Sequence, residues 1–173
     1  RRPGLYRSNY SFMHIFGFEE KFYNDAFSKL EKQVADVPGL QIIATDISED
    51  AINISKVNAG IAGVEEMIDF QVCDFEETSI IENREGVVYL NPEYGDRLGV
   101  EEELEKTYKR MGDFFKKKCK GYTGYIFTGN LELAKKIGLK PKRRIEFYTS
   151  KIDCRLFEYE LYAGTKDISK QQV

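Results

Sequence analysis

The sequence predicts an α/β fold with a mostly parallel sheet that ends in a C-terminal antiparallel hairpin. Short apolar, β-branched runs alternate with segments of helical periodicity, and two strand-like runs follow one another near the C-terminus. The chain has 173 residues, of which 42% are hydrophobic and 13% aromatic, so it can form a substantial core. This composition excludes an intrinsically disordered protein.

The sequence of the N-terminal half predicts the element order helix, strand, helix, strand. Apolar residues spaced by one, three and four positions predict a helix over about 19–34 that ends before Pro38 and Gly39. The run LQIIAT predicts a strand that stops at Asp46, and Ser48 is a suitable N-cap for a helix reaching about Gly60. A further strand is predicted over 67–73 and ends in Asp74. The stripe of the first helix comprises Phe22, Tyr23, Ala26, Phe27, Leu30 and Val34.

The C-terminal half continues the alternation. We predict a strand over 86–90, a helix over about 101–120 stopped by Gly121, and a strand over 122–129. Asn130 then caps a short helix, LELAKKI, and the runs 143–150 and 154–162 form the hairpin. One face of the long helix should carry Leu104, Tyr108, Met111 and Phe115.

Composition excludes several classes of function. Lys and Arg number 26 against 29 Asp and Glu, so any nucleic-acid contact must be local. The single histidine, His14, excludes a His-based metal site and a Ser/His/Asp hydrolase, and we expect it to be a packing or surface residue. The three cysteines are separated in sequence and odd in number, which favours a reduced, cytoplasmic protein. No apolar run approaches the roughly 18 residues of a membrane span, so we do not expect a membrane as a partner. Because the chain has a single histidine, we do not expect a metal either.

Polar residues end three of the predicted strands. Asp46, Asp74 and Asn91 should lie on one rim, because ligands of open parallel sheets bind beyond the carboxyl ends of the strands. One carboxylate there can accept hydrogen bonds from ribose hydroxyls, and the other can accept one from an adenine amino group. The alternative is that both aspartates cap the turns that follow them, and position alone favours neither interpretation.

The segment Asn91-Pro92-Glu93-Tyr94-Gly95 combines an amide, a rigid backbone and an aromatic ring. An amide oxygen and a proline carbonyl can hold the two N–H groups of an exocyclic amine, while a tyrosine stacks on the flipped base. Methyl transfer to such an amine needs this arrangement. The alternative is an ordinary Asn-Pro turn in which glycine permits a tight reversal.

Five segments in order resemble the class I methyltransferases that pair with THUMP RNA-binding domains, particularly bacterial RlmL-type 23S rRNA guanine-N2 methyltransferases. They are PGLYRSNYSF, ATDISEDAINISKVNAGIAGVEEMIDFQVCDF, VVYLNPEYGDRL, GYTGYIFTGN and IGLKPKRRIEFYTSKIDCRLFEYEL. The resemblance implies a Rossmann-like sheet, S-adenosylmethionine as cofactor and large-subunit rRNA as partner.

The resemblance also implies roles for individual residues. Asp46 would meet the ribose of the cofactor, Ile47 would pack near the adenine, and Asp74 with Phe75 would read the adenine ring. The acceptor-base pocket would contain Asn91, Pro92, Glu93 and Tyr94. Glu93 stands where the family normally has a second proline, and it brings a negative charge near the reacting amine.

A second departure concerns the family's first strand and glycine-rich cofactor loop, which would lie before Arg1. None of the 14 glycines forms that loop. We therefore expect a partial catalytic domain with an N-terminal loop and helix over 1–38, a sheet core over 39–165 and a polar tail over 166–173. Without the central strand, the strands ending at Asp46 and Asn91 should each have an unpaired edge, and the isolated chain should bind cofactor poorly.

Two basic clusters, at 116–120 and 140–144, could contact rRNA phosphates, although lysines at a helix end also complement the helix dipole. The expected activity is methylation of guanine N2 in 23S rRNA. Two alternatives remain open at this point: adenine-N6 methylation of DNA or RNA, and a non-catalytic remnant without the cofactor loop.

Overall fold

The computed structural model describes residues 8–35, 37–81, 84–93, 101–149 and 152–162. The chain divides after Thr78 into two compact units, which span residues 1–78 and 79–173. Each unit has its own sheet. No helix among the residues described is long and apolar enough to cross a membrane.

The first unit contains a two-stranded parallel sheet. Short 3-10 turns precede the first helix and flank the second strand at 65–67 and 75–77. The regular elements, in chain order, are α1 (Glu20–Glu31), β1 (Ile42–Asp46), α2 (Glu49–Ile61) and β2 (Ile68–Val72). The two strands and α2 therefore follow the predicted order.

Helix α2 begins as its sequence predicts. The Ser48 hydroxyl accepts a hydrogen bond from the Ala51 N–H at 3.3 Å, which satisfies one of the free donors of the first turn. Ile52 and Ala59 are the buried residues of the helix, which packs against both strands of this sheet. The prediction that Ser48 is the N-cap is confirmed.

Helix α1 is shorter than the predicted 19–34. It ends at Glu31, and the N–H of the following residue, Lys32, donates to the carbonyls of Ser28 and Leu30. The helix therefore stops several residues before Pro38 and Gly39. None of its residues is buried, and Phe22 from the predicted apolar stripe is 67% exposed. The apolar periodicity therefore identified the helix, but no residue of its stripe is fully buried in the described part of this unit. The other rings of α1 instead extend a local aromatic cluster of Tyr10, Phe12, Phe18, Tyr23 and Phe27.

The second unit contains a four-stranded mixed sheet in the order β3-β4-β6-β5. Strands β3 and β4 are parallel, whereas β6 is antiparallel to both of its neighbours. The elements are β3 (Val87–Leu90), α3 (Glu101–Lys118), β4 (Thr123–Thr128), α4 (Leu131–Lys136), β5 (Arg143–Thr149) and β6 (Ile152–Glu160). The predicted C-terminal hairpin is confirmed, while its turn at 150–151 and the predicted polar tail at 166–173 lie outside the described residues.

The core of the second unit lies beneath α3. All four residues of its predicted apolar face are buried: Leu104, Tyr108, Met111 and Phe115. Gly124 on β4 leaves room for the Phe115 ring, since a Cβ at Gly124 would come within 2.7 Å of it. Phe115 also contacts Tyr159 of β6, with ring centroids 5.9 Å apart. These contacts fix α3 on the sheet.

Four strands have one edge without a ladder partner among the described residues: β1, β2, β3 and β5. In that part of the chain β1 pairs with β2 alone, and β3 pairs with β4 alone. Strands β1 and β3 are the ones for which the sequence predicted an unpaired edge. The predicted fold class, parallel strands with a C-terminal antiparallel hairpin, is confirmed.

Candidate active site

Asp46 ends β1 and starts a tight turn. Its Oδ1 accepts a hydrogen bond from the Ser48 N–H at 2.8 Å, and its backbone carbonyl accepts one from the Cys73 N–H at 3.0 Å. The second bond joins the carboxyl ends of the two parallel strands. The side chain of Asp46 is exposed, so its remaining acceptor lone pairs face solvent.

Asp74 occupies the corresponding place after β2. Its Oδ1 accepts a hydrogen bond from the Glu76 N–H at 2.9 Å and caps the 3-10 turn Phe75–Glu77. Both aspartates therefore cap turns, as the structural alternative proposed. Capping engages one oxygen of each carboxylate, and an ionised carboxylate offers about four acceptor positions, so the cap and a ligand are compatible.

Apolar side chains accompany these acids. Ile47 is 74% exposed directly after Asp46, and Phe75 is half-buried directly after Asp74. Apolar surface beside a few polar groups is the usual lining of a small-molecule site. Sequence reasoning missed a further contact, the 2.9 Å hydrogen bond between the hydroxyls of Thr45 and Thr78, which ties the end of β1 to the segment after the 3-10 turn.

The acceptor segment follows β3 in the second unit. Asn91 is exposed, Pro92 is half-buried and Glu93 is exposed. Tyr94 lies outside the described residues. The last residue of β3, Leu90, pairs with Ile126 of β4, so the segment leaves a strand that is held in a parallel ladder.

A buried hydroxyl pair lies behind this segment. The Tyr108 hydroxyl is 2.7 Å from the Thr128 hydroxyl and donates to the Glu93 carbonyl at 3.4 Å. Tyr108 and Thr128 are both fully buried. The periodicity of α3 predicted that Tyr108 is a core residue, but no sequence signal indicated that its hydroxyl reaches the acceptor segment.

Cys73 adjoins the first group of site residues, since it precedes Asp74 and its N–H donates to the Asp46 carbonyl. Cys119 and Cys154 are buried, Cys73 is half-buried, and none of the three forms a disulfide. Burial raises the pKa of the Cys119 thiol from 9.0 to about 12, so it stays neutral and unreactive at physiological pH. His14 is exposed and its Nε2 lies 2.8 Å from the Asn9 side-chain oxygen, as expected for a surface residue.

Charge is unevenly divided between the two units. Residues 1–78 contain 7 Lys and Arg against 14 Asp and Glu, whereas residues 79–173 contain 19 against 15. The near balance of the whole chain therefore conceals an acidic unit and a basic one. Exposed lysines of the basic unit include Lys116, Lys117 and Lys118 in the last turn of α3, where they also complement the helix dipole.

The predicted site residues thus fall into two groups. Asp46, Ile47, Asp74 and Phe75 lie together at the carboxyl ends of the first sheet. The described acceptor residues lie at the carboxyl end of β3 in the second unit. Each unit presents its group after parallel strands, the position at which open α/β sheets bind ligands.

Comparison with protein families identifies the chain. Residues 1–158 match the UPF0020 family, described as the RMKL-like methyltransferase domain. The chain belongs to this family. This assignment agrees with the methyltransferase resemblance of its motifs and establishes the domain as an enzyme domain of the methyltransferase class.

The RMKL-like domain is similar to curated enzymes that act on ribosomal RNA. It is 28% identical over 166 residues to the ribosomal RNA large subunit methyltransferase K/L of Syntrophotalea carbinolica, a match that covers 92% of this chain and 23% of that enzyme. The chain spans about a quarter of the length of this enzyme and 41% of the length of another curated relative.

Solved structures share the fold. SMU.472, assigned as a methyltransferase and crystallised with SAH, superposes with a TM-score of 0.74 at 19% identity, over 92% of this chain and 42% of that one. A protein from Listeria monocytogenes, described as a predicted N6-adenine-specific DNA methylase, is 28% identical with a TM-score of 0.66. That match covers 85% of this chain and 36% of the Listeria protein.

Proposed function

We propose that this chain forms the adenosine-binding and acceptor-base parts of an S-adenosylmethionine-dependent methyltransferase that modifies guanine N2 in large-subunit rRNA. The observation that carries the proposal is the placement of Asp46 and Asp74 at the adjoining ends of two parallel strands, in a chain of the methyltransferase family. We propose that the protein is related to the THUMP-associated enzymes that its motifs resemble.

The residues of the first unit fit an adenosyl group. Ribose hydroxyls are donors and would bind the exposed carboxylate of Asp46, while the amino group of adenine would donate to Asp74. Ile47 and Phe75 would pack on the adenine ring. S-adenosylmethionine supplies a methyl group on a positively charged sulfur, and the SAH bound to SMU.472 is the form left after methyl transfer.

The second unit would hold the acceptor. The side-chain oxygen of Asn91 and the carbonyl of Pro92 would accept the two N–H groups of the guanine amine, which turns the nitrogen lone pair towards the methyl carbon. Tyr94 would stack on the base. As the new N–C bond forms, the methyl–sulfur bond breaks with its electrons going to sulfur, and the amine then releases one proton to solvent.

Two observations support RNA as the substrate. The Syntrophotalea relative is named for large-subunit ribosomal RNA. The excess of basic residues in 79–173 favours a polyanionic partner for the unit that carries the acceptor segment. The clusters at 116–120 and 140–144 lie towards the amino end of β4, whereas the acceptor segment follows the carboxyl end of β3, so phosphate contacts made by these clusters would be distant from the reacting base. An additional RNA-binding domain of the THUMP type would supply much of the affinity.

The second candidate is adenine-N6 methylation of DNA. The Listeria protein described in those terms is as similar in sequence as the ribosomal RNA relative. An adenine amino group presents the same two N–H donors as the guanine amine, so the acceptor segment accommodates either base. Substrate choice then depends on residues beyond Asn91 and Pro92.

A methylation assay distinguishes the two. Full-length protein is incubated with radiolabelled S-adenosylmethionine and either deproteinised large-subunit rRNA or duplex DNA, and the modified nucleoside is identified by mass spectrometry. We expect N2-methylguanosine in rRNA and no product in DNA, and we expect Asn91→Ala to abolish the product. N6-methyladenine in DNA would support the second candidate, and no labelled product in either substrate would contradict both.

A further inference from the structure

We propose that Tyr108 is a positioning residue of the acceptor segment and that Thr128 holds the Tyr108 hydroxyl in place by a hydrogen bond. The proposal rests on the proposed function, because it assigns Tyr108 a role in placing Asn91 and Pro92 for methyl transfer. Tyr108 would not touch the substrate. It would act through the backbone carbonyl of Glu93.

Hydrogen bonds link this pair to the residues on either side of it. The Asn130 N–H donates to the Thr128 hydroxyl oxygen at 3.0 Å. The hydroxyls of Thr128 and Tyr108 lie 2.7 Å apart, with either able to donate, and the Tyr108 hydroxyl also lies within donating distance of the Glu93 carbonyl, at 3.4 Å. A relay thus runs from the start of α4, through Thr128 and Tyr108, to the acceptor segment.

The relay holds the acceptor segment at its far end. At its near end, Leu90 is fixed in the parallel ladder with Ile126. Only Asn91, Pro92 and Glu93 lie between that ladder and the anchored carbonyl, and the ring of Pro92 fixes its own φ. The orientation of the Asn91 amide and the Pro92 carbonyl therefore depends on few free torsions.

Glu93 makes this anchor important. The family normally has a second proline at this position, whose ring would restrict the backbone, whereas glutamate leaves φ free. A hydrogen bond to the Glu93 carbonyl restricts the same stretch of backbone by a different route. The bond depends on the main chain and so is available whichever side chain stands at position 93.

The fold alone does not explain a polar pair in this core. Buried hydroxyls are costly unless they are hydrogen-bonded, and replacing such a pair with apolar groups of similar shape can be nearly neutral for stability. Tyr108 packs on the same face of α3 as Met111 and Phe115, where apolar residues suffice. The hydroxyl of Tyr108 instead reaches the acceptor segment, which the proposed function requires.

The variant Tyr108→Phe removes only the hydroxyl. A matched control is Tyr122→Phe, because the Tyr122 hydroxyl also donates to a backbone carbonyl, that of Ile81 at 2.7 Å, away from the acceptor segment. In the full-length protein we expect Tyr108→Phe to lower kcat about fivefold with unchanged affinity for SAH and unchanged KM for rRNA. Tyr122→Phe should leave kcat unchanged, whatever its effect on stability.

Thr128 provides a second comparison. Thr128→Val removes the hydroxyl that is hydrogen-bonded to Tyr108 and should lower kcat in the same way, while Thr128→Ser keeps this hydroxyl and should keep the wild-type kcat. Equal losses of kcat in Tyr108→Phe and Tyr122→Phe would show a general structural effect and overturn the proposal. Wild-type kcat in Tyr108→Phe would overturn it as well.

A measurement independent of catalysis separates this proposal from the proposed function. The carbonyl ¹³C chemical shift of Glu93 reports whether its oxygen accepts a hydrogen bond. We expect Tyr108→Phe to move this shift towards that of a carbonyl without a protein donor, and Tyr122→Phe to leave it in place. An unchanged shift in Tyr108→Phe would refute the anchor even if the wild-type protein showed no methyl transfer on any substrate tested.

Discussion

Replacing Asp46 with asparagine separates the two roles of this residue. In the structure its Oδ1 caps a turn by accepting the Ser48 N–H at 2.8 Å, and in the proposed site its charge binds ribose hydroxyls. The amide oxygen of asparagine can still accept the Ser48 N–H, so the turn should survive. The negative charge that strengthens the ribose contacts would be lost.

The expected magnitudes follow from the two kinds of hydrogen bond. A bond to a charged group contributes about 1.5–3 kcal/mol and a neutral one about 0.5–1.5 kcal/mol, so Asp46→Asn should cost about 1.4 kcal/mol in binding. This corresponds to about tenfold weaker binding of SAH. The free energy of unfolding should change little in Asp46→Asn, but it should fall by about 1 kcal/mol in Asp46→Ala, which also removes the cap.

The assay is isothermal titration of the full-length protein with SAH, alongside urea denaturation. Ser48→Ala is the matched control, because it removes the N-cap of α2, a 3.3 Å bond to the Ala51 N–H, two residues from the proposed ligand contact. This control should lose about 1 kcal/mol of stability and keep its affinity. If Asp46→Asn binds SAH as tightly as wild type, Asp46 is a turn cap alone and the assignment of the ribose contact is wrong.

Three further predictions concern packing, thiol chemistry and cofactor affinity. Gly112→Ala should lower the free energy of unfolding by about 3 kcal/mol in urea denaturation, because the added Cβ would lie 1.8 Å from the Ile137 carbonyl oxygen and displace α4 from α3. An unchanged free energy of unfolding would contradict this packing. When the folded protein is alkylated at about pH 8, mass spectrometry should show that Cys73 is modified before the buried Cys119 and Cys154. Equal rates of modification would show that burial does not protect the two thiols. Because burial raises the pKa of the Cys119 thiol, the folded state keeps this proton at pH values where the unfolded state loses it. The free energy of unfolding should therefore fall as the pH rises from about 9 to about 12. We predict that a protein of residues 1–173 lacks micromolar affinity for S-adenosylmethionine in calorimetric titration, since this sequence contains no glycine-rich run of the kind expected for the cofactor loop; micromolar binding would contradict that expectation.

Local sequence signals predicted the regular elements well. Ser48 and Asn130 each precede a helix and accept the expected N–H of the first turn, because an N-cap depends only on neighbouring residues. The buried face of α3 was also predictable, since residues three and four apart share one side of a helix. For α1 the same periodicity found the helix but not its environment, because Phe22 stays 67% exposed.

Contacts between distant residues could not be predicted in this way. The bond between Tyr108 and Thr128 joins a helix to a strand, and neither residue carries a local signal for it. The charge difference between the two units was likewise hidden until the boundary at Thr78 was known. For Asp46 and Asp74 the sequence offered turn capping and ligand binding as alternatives; the structure shows that both aspartates cap their own turns.

The central claim is that two strand-end acids bind the adenosyl group while Asn91 orients the amine that receives the methyl group. A crystal structure of the full-length protein with SAH tests it most directly. The account predicts ribose hydroxyls on Asp46, the adenine amine on Asp74 and the Asn91 amide directed towards the SAH sulfur. Adenosine bound without contact to either acid, or an Asn91 side chain directed away from the sulfur, would contradict it.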